Sequence, residues 1–113
     1  MVPAADGRSA TMAAEWAVPA FYEQCSPPDA AWASSQLCAE AIAPLATAVQ
    51  LSDDGFGSVD KTYIGASGDR AVPVALQHQL AERCGAHFQA IDSDHSPFLS
   101  ATDELVARLL ALA

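Results

Sequence analysis

The chain has little positive charge: of 113 residues only 5 are Lys or Arg, against 14 Asp and Glu, giving a net charge of −9. Nucleic-acid affinity rests on cations that displace counterions from phosphates, so no nucleic-acid partner is expected. An anionic membrane face is disfavoured on the same ground. Long apolar runs are also missing. The most apolar stretches, 41–49 and 105–113, are too short to cross a bilayer, and Pro44 interrupts the first. The N-terminus has one early base, Arg8, and no unbroken apolar core, so no secretory leader is expected. Cysteine is sparse and odd in number: Cys25, Cys38 and Cys84 lack Cys-x-x-Cys spacing. This predicts reduced thiols in a cytoplasmic protein and excludes a disulfide scaffold or a structural zinc centre.

Apolar residues, by contrast, make up 51% of the chain, enough to exclude disorder by composition, and the length allows one domain at most. Residues 1–18, rich in Ala, Pro and Gly, read as an irregular segment. Ser26-Pro27-Pro28-Asp29 reads as a helix start, with Ser26 as the cap, Pro27 at the first helical position and Asp29 at the positive end. That helix is expected to run to Glu40 and to be stopped by Pro44. The stretch 43–58 reads as a long connection. The segment 59–66, centred on Tyr63-Ile64, reads as a strand, and Pro73 to Cys84 as a helix with Val74, Leu76, Leu80 and Cys84 on one flank and Gly85 at its exit. His87–Ile91 reads as a second strand, and a last helix starts with a capping-box-like entry, Ser100-Ala101-Thr102-Asp103, with Leu105, Leu109 and Leu112 on its apolar face.

Strand–helix–strand–helix over 59–113 predicts an α/β fold with a parallel sheet. Parallel sheets are covered on both faces and normally have more than two strands. The segment therefore reads as the edge of a larger sheet. Ligands and catalytic groups gather at the carboxyl ends of such strands. Here the first strand delivers Gly68-Asp69-Arg70 and the second delivers Asp92-Ser93-Asp94-His95-Ser96-Pro97. An Asp after one strand and a His after the next is the arrangement an Asp–His pair needs. The carboxylate accepts from one ring nitrogen and selects the tautomer, leaving the other nitrogen free to take a proton.

Thr62-Tyr63-Ile64, then Gly68-Asp69-Arg70-Ala71-Val72-Pro73, then Asp92-Ser93-Asp94-His95-Ser96-Pro97-Phe98, resemble the C-terminal part of an α/β-hydrolase. The branch is that of plant methylesterases, salicylate-binding proteins and hydroxynitrile lyases. Upstream, Phe21-Tyr22, Cys25-Ser26-Pro27 and Asp29 to Ala33 resemble the end of that branch's cap, and Pro44-Leu45 the return to the sheet. The resemblance covers roughly residues 19–113: a cap remnant over 19–45 and the last two parallel strands with their helices over 59–113. It implies Asp69 as triad acid and His95 as base of an esterase, with no cofactor and no metal. The family order puts the nucleophile upstream, in a Gly-x-Ser-x-Gly elbow. The chain has none; Ser9, in Gly7-Arg8-Ser9-Ala10-Thr11, comes nearest but lacks the second glycine and a preceding strand. Ser96 stands where hydroxynitrile lyases carry lysine, so the resemblance implies ester hydrolysis.

Plainer readings stand beside these. His95 could be a loop histidine with ordinary hydrogen bonds, Asp69 half of a surface pair with Arg70, and Asp92, Asp94 and His95 metal ligands, although metal sites recruit more widely spaced ligands. Asp94 reads rather as an acceptor that orders its loop. Trp16, Phe21, Tyr22 and Trp32 line an acyl or aryl pocket or form plain core; Phe21, Tyr22 and Trp32 are the candidate substrate contacts. His78 and His87 read as structural or solvated, Cys25 as a small buried hydrophobe and Asp53-Asp54 as a solvated turn. Two functions compete. One is an esterase segment, inactive alone, that acts on a small ester once another chain supplies an N-terminal half. The other is a non-catalytic remnant serving self-association or interaction.

Overall fold

The computed structural model describes residues 1–113. Its C-terminal half follows the α/β pattern. β4 (Thr62–Ala66) and β5 (His87–Ile91) pair in parallel, from Thr62 opposite His87 to Ala66 opposite Ile91. α4 (Val74–Cys84) joins them and leaves through Gly85 at φ +65°, a left-handed exit that glycine takes without strain. The buried side of α4 is not the apolar flank expected from sequence. Gln77 and Ala81 are buried, whereas Leu76 and Leu80 are 44% and 37% exposed. A helix lying on two strands puts only a narrow stripe inside, and these two positions occupy it.

The N-terminal half departs from the reading of 1–18 as irregular. β1 (Val2–Pro3) and β2 (Ser9–Thr11) form an antiparallel hairpin, and β3 (Glu40–Ala41) adds to β2. Gly7, at φ +64°, makes the turn after Asp6, whose carboxylate accepts from the Arg8 N–H. Strands of two and three residues are too short to show alternation in a sequence, and β3 is recruited from a distant segment. α1 (Ala14–Phe21) then crosses the expected boundary at residue 18 and carries Pro19 within it. α2 (Pro27–Gln36) starts as expected, with Ser26 Oγ accepting from the Asp29 N–H. It ends at Gln36 rather than Glu40, because Glu40 is drawn into the sheet. Pro44 does not stop it but lies in the first turn of a separate helix, α3 (Ile42–Ala46), where a missing N–H costs little.

At the other end, α5 (Pro97–Ser100) and α6 (Thr102–Leu110) are separate helices. The capping box expected at Ser100 is not formed, since α6 has no side-chain cap and the Ser100 hydroxyl donates to Asp94 instead. No helix is long and apolar enough to cross a membrane.

The chain leaves much surface uncovered. Its accessible area is 7759 Å², against about 5,900 Å² for a compact monomer of this mass. The radius of gyration is 16.0 Å, against about 13 Å for a compact domain of this length. Part of the excess is a groove of about 340 Å³ whose lining includes Thr62, Tyr63, Ile64 and Ala66 but no residue of β5. Successive residues of a strand point to opposite faces, so a groove touching three in a row follows the strand's unpaired edge. Val106, Leu109, Leu110 and Leu112, on and just beyond α6, are each at least 47% exposed.

Candidate active site

β4 and β5 end side by side, and the turns that follow are laced together. The Ser67 N–H donates to the Ile91 carbonyl at 3.0 Å and the Gly68 N–H to the Ser93 carbonyl at 2.8 Å. At Gly68 the approach is close: a Cβ there would stand 3.0 Å from the Ser93 carbonyl oxygen and 2.3 Å from the Gln24 amide nitrogen. This packing sets the two predicted residues facing each other. Asp69 Oδ2 meets His95 Nδ1 at 2.9 Å.

Asp69 is held on its other oxygen as well. Oδ1 accepts from the Ala71 and Val72 N–H groups, each at 2.8 Å, and the side chain is 7% exposed against 38% for His95. A carboxylate with both oxygens engaged cannot turn away from the ring. The Nδ1 proton then points at Asp69, and the neutral imidazole presents an unprotonated Nε2 to the outside. The Phe21 ring packs on His95 with centroids 5.1 Å apart.

Two hollows meet at His95. One is the groove along β4, whose lining ends at Asp69, His95 and Pro97. The other, about 300 Å³, is lined by Phe21, Tyr22, Leu37, Glu40, His95, Ser96 and Phe98. Phe21 and Tyr22 are thus brought to the histidine. Trp32 is not: it is 60% exposed and lines none of the hollows. α2 buries Ala30 and Ala33 beside Tyr22, and position 32 lies roughly 200° round the helix from position 30. Trp16 lines a separate hollow with Pro19, Ala20 and Arg70. Phe98 follows His95 closely in the chain, but Leu37 and Glu40 had no signal in the sequence, because the β3 pairing that brings Glu40 there is long-range.

The acids and histidine of the 92–95 loop diverge. The Ser67 hydroxyl donates to Asp92, His95 pairs with Asp69, and Asp94 is buried among donors of its own. Asp94 Oδ1 accepts from the Ser96 N–H at 2.9 Å and the Ser100 hydroxyl at 2.8 Å. Its Oδ2 accepts from the Gln24 N–H at 2.8 Å and lies 3.5 Å from the Cys25 thiol. Burial alone would raise the Asp94 carboxyl. The donors Ser96, Ser100, Gln24 and Cys25 outweigh it and hold the group below the usual carboxylate range. Cys25 is affected in the opposite direction. Burial, then the charge of Asp94 and its hydrogen bond, push the thiol up to about 11. Cys25 therefore stays protonated near neutrality and is a poor nucleophile. At pH 8 iodoacetamide should modify exposed Cys38 at least tenfold faster than Cys25, with Cys25 gaining as the pH nears 11. Peptide mass spectrometry reads both rates, and equal labelling at pH 8 contradicts the raised Cys25 thiol.

Comparison with known proteins places the chain in a family. Salicylic acid-binding protein 2 from Nicotiana tabacum is 33% identical over 98 residues, which is 82% of this chain and 37% of that protein. Methylesterase 7 from Arabidopsis thaliana is 37% identical over 71 residues, or 61% of this chain and 27% of that protein. A crystal structure of a polyneuridine aldehyde esterase variant superposes with a TM-score of 0.84 at 26% identity, covering 93% of this chain and 43% of that one. This chain is a partial α/β-hydrolase of the plant methylesterase branch. It spans less than half the length of the relatives it matches. No protein-family model matches it. Within this partial fold, Arg70 is an ion-pair partner: its Nε lies 2.7 Å from Glu23, joining the turn after β4 to the segment after α1. Both side chains are largely exposed, so the pair adds little stability.

Proposed function

We propose that this chain carries the acid and the base of a Ser–His–Asp ester hydrolase, Asp69 and His95, and acts when a serine nucleophile is supplied by another polypeptide. The supporting observation is the 2.9 Å contact of Asp69 Oδ2 with His95 Nδ1, with Asp69 Oδ1 pinned by two backbone N–H groups. In this reading His95 Nε2 takes the serine proton during attack on the ester carbonyl and returns it to the leaving alcohol. Water then releases the acyl group by the same route. The hollow lined by Phe21 and Tyr22 suits a small apolar or aryl ester, as the name methylesterase suggests for a relative. Three free cysteines favour a reducing compartment, and we place the protein in the cytoplasm.

The test is a chimera that joins this chain behind the front portion of the tobacco relative, assayed on p-nitrophenyl acetate. The chimera should turn over, and the free chain should show only background hydrolysis. A folded but inert chimera, or a fluorophosphonate that labels a serine of the free chain during turnover, overturns the proposal.

The uncovered surface favours a second reading, an interaction module. The excess of about 1,900 Å² over a compact monomer exceeds the roughly 800 Å² each partner contributes to a standard interface. Light scattering behind size exclusion should show a dimer or larger species at tens of micromolar. A sharp monomer there counts against it.

A further inference from the structure

The dyad explains one carboxylate of the two beside His95; the other is buried deeper and touches neither the ring nor a cation. Asp94 is 2% exposed, and its two oxygens divide between two tasks. Oδ1 is satisfied locally, by the Ser96 N–H and the Ser100 hydroxyl, which would suffice to order the loop. Oδ2 is directed to a segment 70 residues away in sequence, the Gln24 N–H at 2.8 Å. The Cys25 thiol lies beside it. The same segment is pressed against Gly68 through the Gln24 side chain and paired to Arg70 through Glu23. Directly before it, Phe21 packs on the His95 ring. One carboxylate thus holds the backbone on both sides of His95 and also the segment whose aromatic ring covers the imidazole.

We propose that Asp94 is a positioning residue. By tying residues 24 and 25 to the His95 turn it holds the imidazole between the Asp69 carboxylate and the Phe21 ring, and so keeps Nε2 as the free nitrogen. This rests on the Asp69–His95 reading given above. An ionised carboxylate suits the task because it accepts several charge-assisted hydrogen bonds at once, and donors from separate segments are then held at one point. An asparagine would offer one accepting oxygen and two N–H donors, setting like against like on one side.

Nuclear magnetic resonance of the full chain tests this through two signals: the imidazole nitrogen shifts of His95, which report its tautomer, and the nuclear Overhauser effect between the Phe21 and His95 rings. Asp94→Glu retains the charge but misplaces both oxygens, and Asp94→Asn retains the shape but not the charge. In both, the ring-to-ring signal should fall at least threefold and the tautomer should become mixed, while spectral dispersion shows a folded chain. Ser100→Ala is the milder variant. It removes one of the donors and should roughly halve the ring-to-ring signal, so it decides the matter if neither Asp94 variant folds. Folded Asp94 variants that keep both signals, or an unchanged Ser100→Ala where those variants do not fold, overturn the proposal. Asp69→Asn separates the two levels: if it leaves the His95 tautomer unchanged, the dyad itself fails. If it alone shifts the tautomer, the dyad stands and Asp94 only orders its loop.

Discussion

Replacing Gln77 by leucine should strongly destabilise the chain. Gln77 is 2% exposed, and its amide takes the place of a neighbouring strand. Oε1 accepts from the Ala66 N–H at 2.9 Å, and Nε2 donates to the Ala66 carbonyl at 2.9 Å and the Val72 carbonyl at 2.7 Å. Leucine nearly matches the volume, so no cavity opens, but the Ala66 N–H and the Val72 carbonyl lose their partners, and the Ala66 carbonyl is left with only the Asp69 N–H at 3.3 Å. Each orphan costs about 1–3 kcal/mol, so the two together should cost about 2–6 kcal/mol. That approaches the whole stability of a typical small domain. The damage falls where it matters for the site. Ala66 is the last residue of β4, and the turn that bears Asp69 springs from it. Urea titration followed by circular dichroism measures the change; a cooperative transition within about 1 kcal/mol of the parent contradicts it.

The second large effect is on rate. In the chimera described above, Asp69→Asn should lower kcat by about 10⁴-fold, and His95→Ala should lower it at least as far. The size of the first follows from how Asp69 is held. Ala71 and Val72 both present N–H groups to one side of the carboxylate. An asparagine must turn its oxygen to them, which leaves its NH₂ facing His95 Nδ1. Nδ1 must then accept, the ring proton moves to Nε2, and the nitrogen that should take the serine proton is blocked. Structure is nearly preserved while the tautomer is reversed, so the loss should appear in kcat far more than in KM. His95→Ala removes the proton acceptor itself. A chimera that keeps more than a tenth of its rate after either change rules out these roles.

Much of the site could be read from the chain because its parts are local. Each half of the pair follows a strand within a few residues, and parallel strands joined by a helix must end on the same side. The positions of Asp69 and His95 therefore follow from pattern. Ser26, with Pro27 and Asp29 behind it, and Gly85 at the exit of α4 were likewise legible, because a helix end depends on the residues at that end.

The features that escaped depend on distant partners. Leu76 and Leu80 read as part of the apolar flank of α4, yet Gln77 is buried and these leucines are exposed, because a narrow sheet admits only one stripe of the helix. Ser100 reads as a helix cap, yet its hydroxyl is drawn to Asp94. Trp32 reads as a pocket wall, yet the rotation of α2 turns it outward.

By itself, the order of residues determined the α/β alternation, the acidic surface and the presence of an acid and a base on successive strand ends, since these need only periodicity, charge and local turn chemistry. Only the tertiary structure decided which nitrogen of His95 is held, which aromatic rings reach it and what anchors the segment over it. Those are contacts between segments up to 70 residues apart, and no local preference encodes a distance across space.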